Sequence, residues 1–369
     1  MQYVPFYPYG LAYSSYLNTI GDIVNDIVSR GAFILQGELA SFEKTIANSI
    51  GAKFAIGVGN ATDGLEMLLQ AGRMPPGAEV LISTHTMSAT ASAVKAMGGV
   101  PVAVDIDELG MMSAEDLESK ITTRSWGLIV TQLNGAIANM APIVDIARKF
   151  ELKLYEDSAQ ALMATSNGRY AGTFGEGGVF SFYPAKVLGC LGDGGMVVTN
   201  SEETFNAIMA MRDHGRVANG EMVMWARNSR LDNLQAAFLN YFFVNHLESW
   251  ISHRRKITTL YDEMLEDITE IRRPQYNFRA GNDSNFQNYE LCATARDDLQ
   301  AHLKSRGIGT LVQWGGRGIH QLSVYQHRVS LPAAEKYLSA SLMLPLNHIV
   351  SQSQATYVAG EIRAFYRGK

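Results

Sequence analysis

Cysteine is almost missing from this 369-residue chain: there are two, Cys190 and Cys292, far apart and in no CxxC pair. A disulfide framework is therefore not expected, and a reducing compartment, the cytoplasm, is. Blocks of like charge are missing as well. Charged residues make up 18% of the chain and the net charge is −5, with no long basic or acidic run. That argues against nucleic acid as the main partner and leaves room for a local basic pocket holding a phosphorylated ligand. No uninterrupted apolar run is long enough to span a bilayer; even 236–244 is short and broken by Asn240. The stretch from Met1 to Pro8 has no basic segment leading into an apolar one, so no signal peptide is expected. Internal repeats and low-complexity segments are also lacking. The expectation is a soluble protein with no membrane partner.

What is present is a hydrophobic fraction of 47%, which in a chain of this length suffices for a large core and two domains. The spacing predicts two opening helices, over 11–29 (Ile20, Ile23, Val24 and Ile27 in step) and over 38–50, stopped by Gly51. Strand-like runs at 54–58, 79–83, 100–104, 127–131 and 153–155 then alternate with helical patterns at 62–71, 89–97, 114–121 and 143–150. Regular alternation of this kind implies an α/β layer with a largely parallel sheet. A strand at 179–182, a glycine turn at 192–195 and a strand at 196–199 follow, then a long helical region over 231–265. Segments 289–293, 297–305, 308–312, 333–338 and 354–365 read as a smaller α+β unit. The predicted division is a large domain, 1–245, and a small C-terminal one, 246–369.

The chemistry concentrates in Phe180-Ser181-Phe182-Tyr183-Pro184-Ala185-Lys186, followed by Gly192-Asp193-Gly194-Gly195. A lysine just past an apolar strand, with Phe180, Phe182, Tyr183, Val187 and Leu188 around it, would be desolvated and nucleophilic near neutral pH. A surface lysine at a strand end is the plainer alternative. Upstream, Glu156-Asp157-Ser158-Ala159-Gln160 ends another apolar strand with a carboxylate, at the edge where α/β folds gather ligands. Asp157 there either caps a helix or pairs with a protonated pyridine nitrogen. Together the two segments read as a pyridoxal phosphate (PLP) site, with lysine for the Schiff base and aspartate for the ring nitrogen. Gln160, one turn on, shares that face and reaches toward the ring hydroxyl. Ser181 points away from Phe182 and is a candidate phosphate ligand.

The first βα turn, Gly57-Val58-Gly59-Asn60-Ala61-Thr62-Asp63-Gly64, offers free amides to an anion; a turn serving geometry alone fits it equally. Its spacing is not the GxGxxG signature, which disfavours a dinucleotide. His246 and His253 lie seven apart on one helix face, with no ligand set to complete a metal site. Arg254-Arg255-Lys256 reads as a solvated helix face and Cys190 as a small buried packer.

The chain resembles the DegT/StrS-type sugar aminotransferases, PLP enzymes of the aspartate aminotransferase fold. The likeness runs from Leu35-Gln36-Gly37-Glu38-Leu39 through Gly59–Leu65, the Asp157 and Lys186 blocks, and Asn228-Ser229-Arg230-Leu231-Asp232, to Leu344-Pro345-Leu346. It implies that Lys186 and Asp157 are catalytic and that Gln160 contacts the ring hydroxyl. It also implies that Ala61, Thr62 and Ser181 hold the phosphate, with Asn228 lent by the neighbouring subunit of a homodimer. The implied reaction takes an amine, with glutamate as donor, to a nucleotide-linked 3- or 4-keto-6-deoxy sugar. The chain departs from the family in four places. Met87 stands where an aromatic residue covers the ring. Gln132-Leu133-Asn134-Gly135 replaces His-Leu-Tyr-Gly. Ala161 follows the Asp block where a histidine is usual. Gln313-Trp314-Gly315-Gly316-Arg317 replaces a Tyr-Pro pair before His320. These departures fall on the substrate pocket, for which Tyr183, Trp314, Arg317 and His320 are the candidates. A dehydratase of the same fold, which carries histidine in place of the lysine, and a regulatory homologue without turnover are the alternatives.

Overall fold

Five strands with helices between them open the architecture: β1 (Phe54–Val58), β2 (Glu79–Ser83), β3 (Val100–Val104), β4 (Ser125–Thr131) and β5 (Lys153–Asp157). A small hairpin, β6 (Thr165–Ser166) and β7 (Arg169–Tyr170), leads to β8 (Gly177–Ser181) and β9 (Gly195–Thr199). Later come β10 (Ile271–Arg272), β11 (Asn282–Asp283), β12 (Tyr289–Ala293) and β13 (Ser341–Leu344). The structure is a computed structural model that describes residues 3–274 and 281–368. Its main sheet has seven strands in the order β1-β9-β8-β5-β4-β2-β3. The run β8-β5-β4-β2-β3 is parallel, and β9 is antiparallel to both of its neighbours. The expected α/β class with a mainly parallel sheet is what the chain adopts.

Apolar residues on both faces of the central strands drive this arrangement. In β2, Leu81 packs into one core with Leu128 and Val130, while Val80 and Ile82 face a second with Ile129. A parallel strand must be covered on both sides, and each fully buried aliphatic side chain contributes about 1.5–3 kcal/mol. The strands expected at 54–58, 79–83 and 100–104 have those limits; β4 and β5 run two residues longer.

Several expectations need correcting. The single helix expected over 11–29 is three pieces: Tyr9–Ala12, a 3₁₀ turn Ser14–Tyr16, and Leu17–Arg30. The break lets Tyr13 place its ring 5.0 Å from Phe238 and its hydroxyl on the Gly189 carbonyl. The region 231–265 is two helices, Asn233–Asn245 and Leu247–Met264, separated at His246. In segment 308–312, Ile308 and Leu311 make isolated bridges to Val4 and Met343. The helix Glu202–Met211, capped by the Ser201 hydroxyl on the Thr204 amide, was not foreseen, nor was β13.

A third core gathers Ile257, Tyr261, Leu291, Leu342 and Val358, and it also contains Val4. Leu247 and Trp250 belong to the first core. The two packing units therefore part inside the helix Leu247–Met264, and the chain's start crosses over to the second unit. Arg254 also departs from expectation: it is 1% exposed. It lies on the buried stripe Trp250, Arg254, Ile257, Tyr261, at helical spacing, while Arg255 and Lys256 face solvent. Its Nη1 donates to the carbonyls of Phe286, Gln287 and Leu346. Desolvation lowers its pKa to about 10. Among the described residues, no helix is long and apolar enough to cross a membrane.

Candidate active site

The site forms where the parallel strands end. Ser181, the last residue of β8, is in register with Gly195 of β9, and Gly195 is in register with Val58 of β1. The helix Ala61–Ala71 starts against Gly195: a Cβ on that glycine would stand 2.4 Å from Asn60 C and 2.7 Å from the Ala61 nitrogen. Glycine is required here for close approach. The Asn60 side chain caps the helix through the Asp63 amide, which leaves the Ala61 and Thr62 amides without intrahelical acceptors. Three strands and one helix start thus bring Ala61, Thr62 and Ser181 to one patch, a ready anion site.

Lys186 lies in the loop between β8 and β9. The Tyr7 hydroxyl donates to Pro184 O at 3.0 Å, and Tyr13 donates to Gly189 O at 2.8 Å. The loop closes on itself through Phe182 N to Gly194 O and Cys190 N to Phe182 O. Lys186 is partly buried. Burial lowers the Lys186 pKa to about 8, and the nearby Asp157 carboxylate pulls the other way. Lysine and aspartate are thus brought together from β5 and the β8–β9 loop.

Asp157 is 5% exposed. Its Oδ1 accepts from the Ala159 amide at 3.2 Å and its Oδ2 from the Thr90 hydroxyl at 2.7 Å. Behind Thr90 stands a directed chain. Thr131 donates to Thr86 Oγ1 at 2.8 Å, so the Thr86 proton goes to Thr90, also at 2.8 Å, and the Thr90 proton to the carboxylate. All three threonines are buried. Every hydroxyl points its proton toward Asp157, an order that suits an ionised acceptor. Gln160 Oε1 accepts from the Asn134 amide at 2.8 Å and from Asn288 Nδ2 at 3.3 Å. This fixes the amide and leaves its Nε2 to donate elsewhere. Next to Asp157, Glu156 is fully buried; Gln132 Nε2 and the amides of Gly172 and Phe174 donate to it. Desolvation raises its pKa.

The remaining candidates are spread along the same edge. Met87 is 53% exposed and immediately follows Thr86; Tyr183 is 49% exposed, and its carbonyl accepts the Lys186 amide. Trp314 stands edge-on to His85 at 5.5 Å, and Arg317 is exposed. His320 is buried with both ring nitrogens engaged, Nδ1 2.6 Å from Thr84 Oγ1 and Nε2 3.3 Å from Glu335 Oε1. It offers a ligand no free group in this arrangement and acts as a brace between Thr84 and the helix Pro332–Ala340. Asn228 is exposed, one residue before Ser229, whose hydroxyl accepts from the Gly59 amide and donates to Asp63. His246 and His253 pack, the first stacked on Trp250 and the second hydrogen-bonded to Val350 O. Cys190 is 1% exposed.

Sequence reasoning missed the threonines, the Glu156 environment and the tyrosine clasp. Only the threonines left a trace: Thr86 and Thr90 are four apart at a strand-to-helix turn, the spacing that stacks side chains.

These residues fit PLP. The unpaired amides of Ala61 and Thr62 with the Ser181 hydroxyl suit its phosphate, Asp157 suits a pyridinium, the Gln160 Nε2 a phenolate, and the desolvated Lys186 amine an aldehyde. Fold and site together define an aspartate aminotransferase-like PLP enzyme. The chain belongs to the DegT/DnrJ/EryC1/StrS aminotransferase family, matched over residues 17–363, and PLP is the cofactor of that family. It is 34% identical to the pleiotropic regulatory protein of Geobacillus stearothermophilus, over 94% of both chains. It is equally 34% identical to a UDP-N-acetyl-3-dehydro-alpha-D-glucosamine 3-aminotransferase of Acidithiobacillus ferrooxidans, over 95% of this chain and 94% of that one. Among solved structures, S. venezuelae DesV in complex with a ketimine intermediate superposes with a TM-score of 0.94 at 31% identity, over 99% of both chains. Bacillus subtilis NtdA with bound cofactor PMP gives 0.91 at 26%, over 100% of this chain and 86% of that one.

Proposed function

We propose that the chain transfers an amino group, with glutamate as donor, to a nucleotide-linked 3- or 4-keto-6-deoxy sugar in the cytoplasm, working as a homodimer with shared sites. The observation that carries this reading is the desolvated Lys186 amine beside the Asp157 carboxylate. The relatives' names support the sugar: one acts on a 3-dehydro UDP-sugar, and another is a dTDP-3-amino-3,4,6-trideoxy-glucose transaminase of Streptomyces venezuelae.

Bound PLP supplies an aldehyde that condenses with amines and a ring that takes up an electron pair. Lys186 contributes the amine that holds the cofactor. A free Nζ at this position would be placed to accept and return the proton that amine transfer requires. Asp157 would pair with the ring nitrogen and favour its protonated form. Ala61, Thr62 and Ser181 would hold the phosphate, and Met87 would offer a thioether to the ring. Tyr183, Trp314 and Arg317 face the sugar nucleotide. Dimerisation is supported by the exposed apolar run Val217, Met222, Val223 and Trp225, the last 91% exposed. An apolar patch of this kind marks an interface, and Asn228 lies three residues beyond Trp225.

A regulator without turnover would have no use for the Lys186, Asp157 and Gln160 set, and a dehydratase would lack the lysine. Mass spectrometry of products from a panel of 3-keto and 4-keto sugar nucleotides decides among the three: an amine gained, water lost, or no change. Failure of every panel member to gain an amine from glutamate would refute the proposal.

The lowered amine also fixes a pH dependence. Apo-protein mixed with PLP should capture it through the neutral amine, so the rate rises with pH to a midpoint near 8 and then levels. An ordinary lysine would keep rising to about 10.4. Stopped-flow absorbance between pH 6.5 and 10.5 reads this out, and a midpoint above about 10 would show the amine to be solvated.

A further inference from the structure

We infer that Gln287, a residue of the second packing unit, is a positioning residue for Lys186, holding the backbone on both sides of it. The inference rests on the reading of Lys186 as the cofactor-bearing amine. Gln287 Oε1 accepts from the Val187 amide at 2.8 Å, and its Nε2 donates to the Ala185 carbonyl at 3.0 Å. The side chain is 6% exposed. The bracketed residue is the lysine itself. With Tyr7 on Pro184 and Tyr13 on Gly189, the loop is pinned at 184, 185, 187 and 189.

Gln287 is in turn anchored at its own backbone. Its carbonyl accepts from Arg254 Nη1 at 3.0 Å, alongside the carbonyls of Phe286 and Leu346. Its amide passes close under Gly135, where a Cβ would stand 2.6 Å from the Gln287 nitrogen. Gly135 has φ +91, so any side chain there is strained twice over. A buried guanidinium on one side and a bare glycine on the other hold the peptide, and the side-chain amide carries that fixed position to the lysine loop.

The chemistry of the bracket is selective. It needs an acceptor facing an N–H and, on the same planar group, a donor facing a C=O. A leucine satisfies neither. An ionised glutamate satisfies the Val187 amide but sets an oxygen against the Ala185 carbonyl. A protonated glutamate restores both bonds.

That difference gives the test, made on the full chain loaded with PLP. Gln287→Leu should lower kcat by about 10- to 100-fold, the scale of a small misplacement of a reacting group, with KM for both substrates within about threefold. Gln287→Glu should resemble the leucine variant at pH 8–9. As the pH falls toward about 6, where a buried carboxyl takes up its proton, its kcat relative to wild type should recover. The visible absorbance of the lysine-bound cofactor, recorded at the same pH values, should approach that of wild type over the same interval. If the leucine variant fails to fold, the glutamate series decides alone. A glutamate variant that tracks wild type at every pH, or one whose kcat stays low at all of them, overturns the bracket. Lys186→Ala is the separate control. Loss of the cofactor band there, together with wild-type behaviour of both Gln287 variants, removes the bracket and leaves the lysine assignment standing. A band that survives Lys186→Ala removes the assignment itself.

Discussion

Lys186→Ala abolishes the visible absorbance of covalently held cofactor and lowers amine transfer by about 10⁴-fold or more, since one group supplies both the covalent link and the proton shuttle. The fold should survive the change. Holding an ammonium at this desolvated position is unfavourable, and the methyl group of alanine carries no such cost. Thermal unfolding of the apo-protein separates this from general damage. The folded-state lysine titrates near 8, against 10.5 for a free one, so between those values the unfolded chain binds the extra proton. Wild-type stability therefore rises as pH climbs from about 8 to about 10.5. The alanine variant should lack that rise, and the two melting curves should converge toward the alkaline end. Retention of the absorbance band would end the assignment of Lys186.

How much of this was legible follows from the range of each interaction. The strands 54–58, 79–83 and 100–104 could be read because a strand covered on both faces is apolar at every position, as Val80, Leu81 and Ile82 show. Asp157 could be picked out because it ends an apolar strand, and Lys186 because it follows one closely among apolar residues, where a charge is conspicuous. Arg254 was misread because the partners that make its burial tolerable are carbonyls at 286, 287 and 346, and a carbonyl has no signature in sequence. Gln287 was invisible for the same reason: it meets Val187 and Ala185 across about a hundred residues and binds only their backbone. His320 looked available, but nothing near it in sequence announces that Thr84 would take its Nδ1. The break in the helix expected over 11–29 depends on an aromatic cluster of Tyr13 and Tyr16 with Phe242 and Trp250, which only the fold assembles.

Asp157→Asn carries the second large effect, and it should differ in kind from the lysine change. Lys186 remains, so cofactor is still captured and a visible band persists. The ring nitrogen loses its carboxylate partner, and with it the electrostatic support for the charge that develops as the amino carbon is deprotonated. Turnover should fall by about 10³-fold, the upper end of what a single preorganised electrostatic partner supplies. The threonine chain makes asparagine a poorer replacement than its shape suggests. Thr90 presents a proton to Oδ2, and the Ala159 amide presents another to Oδ1. An amide has one oxygen, so its NH₂ must face one of these donors, at a cost of about 1–3 kcal/mol for the unmet group. Thr90→Val should relieve that conflict. In the Asp157→Asn background it should restore part of the lost stability without restoring turnover, whereas in the wild-type background it should reduce turnover by about tenfold by withdrawing a hydrogen bond from a charged acceptor. Rapid-scanning absorbance with glutamate alone, followed by steady-state rates, measures both halves. An Asp157→Asn enzyme within about tenfold of wild type would mean that the carboxylate is not the partner of the ring nitrogen.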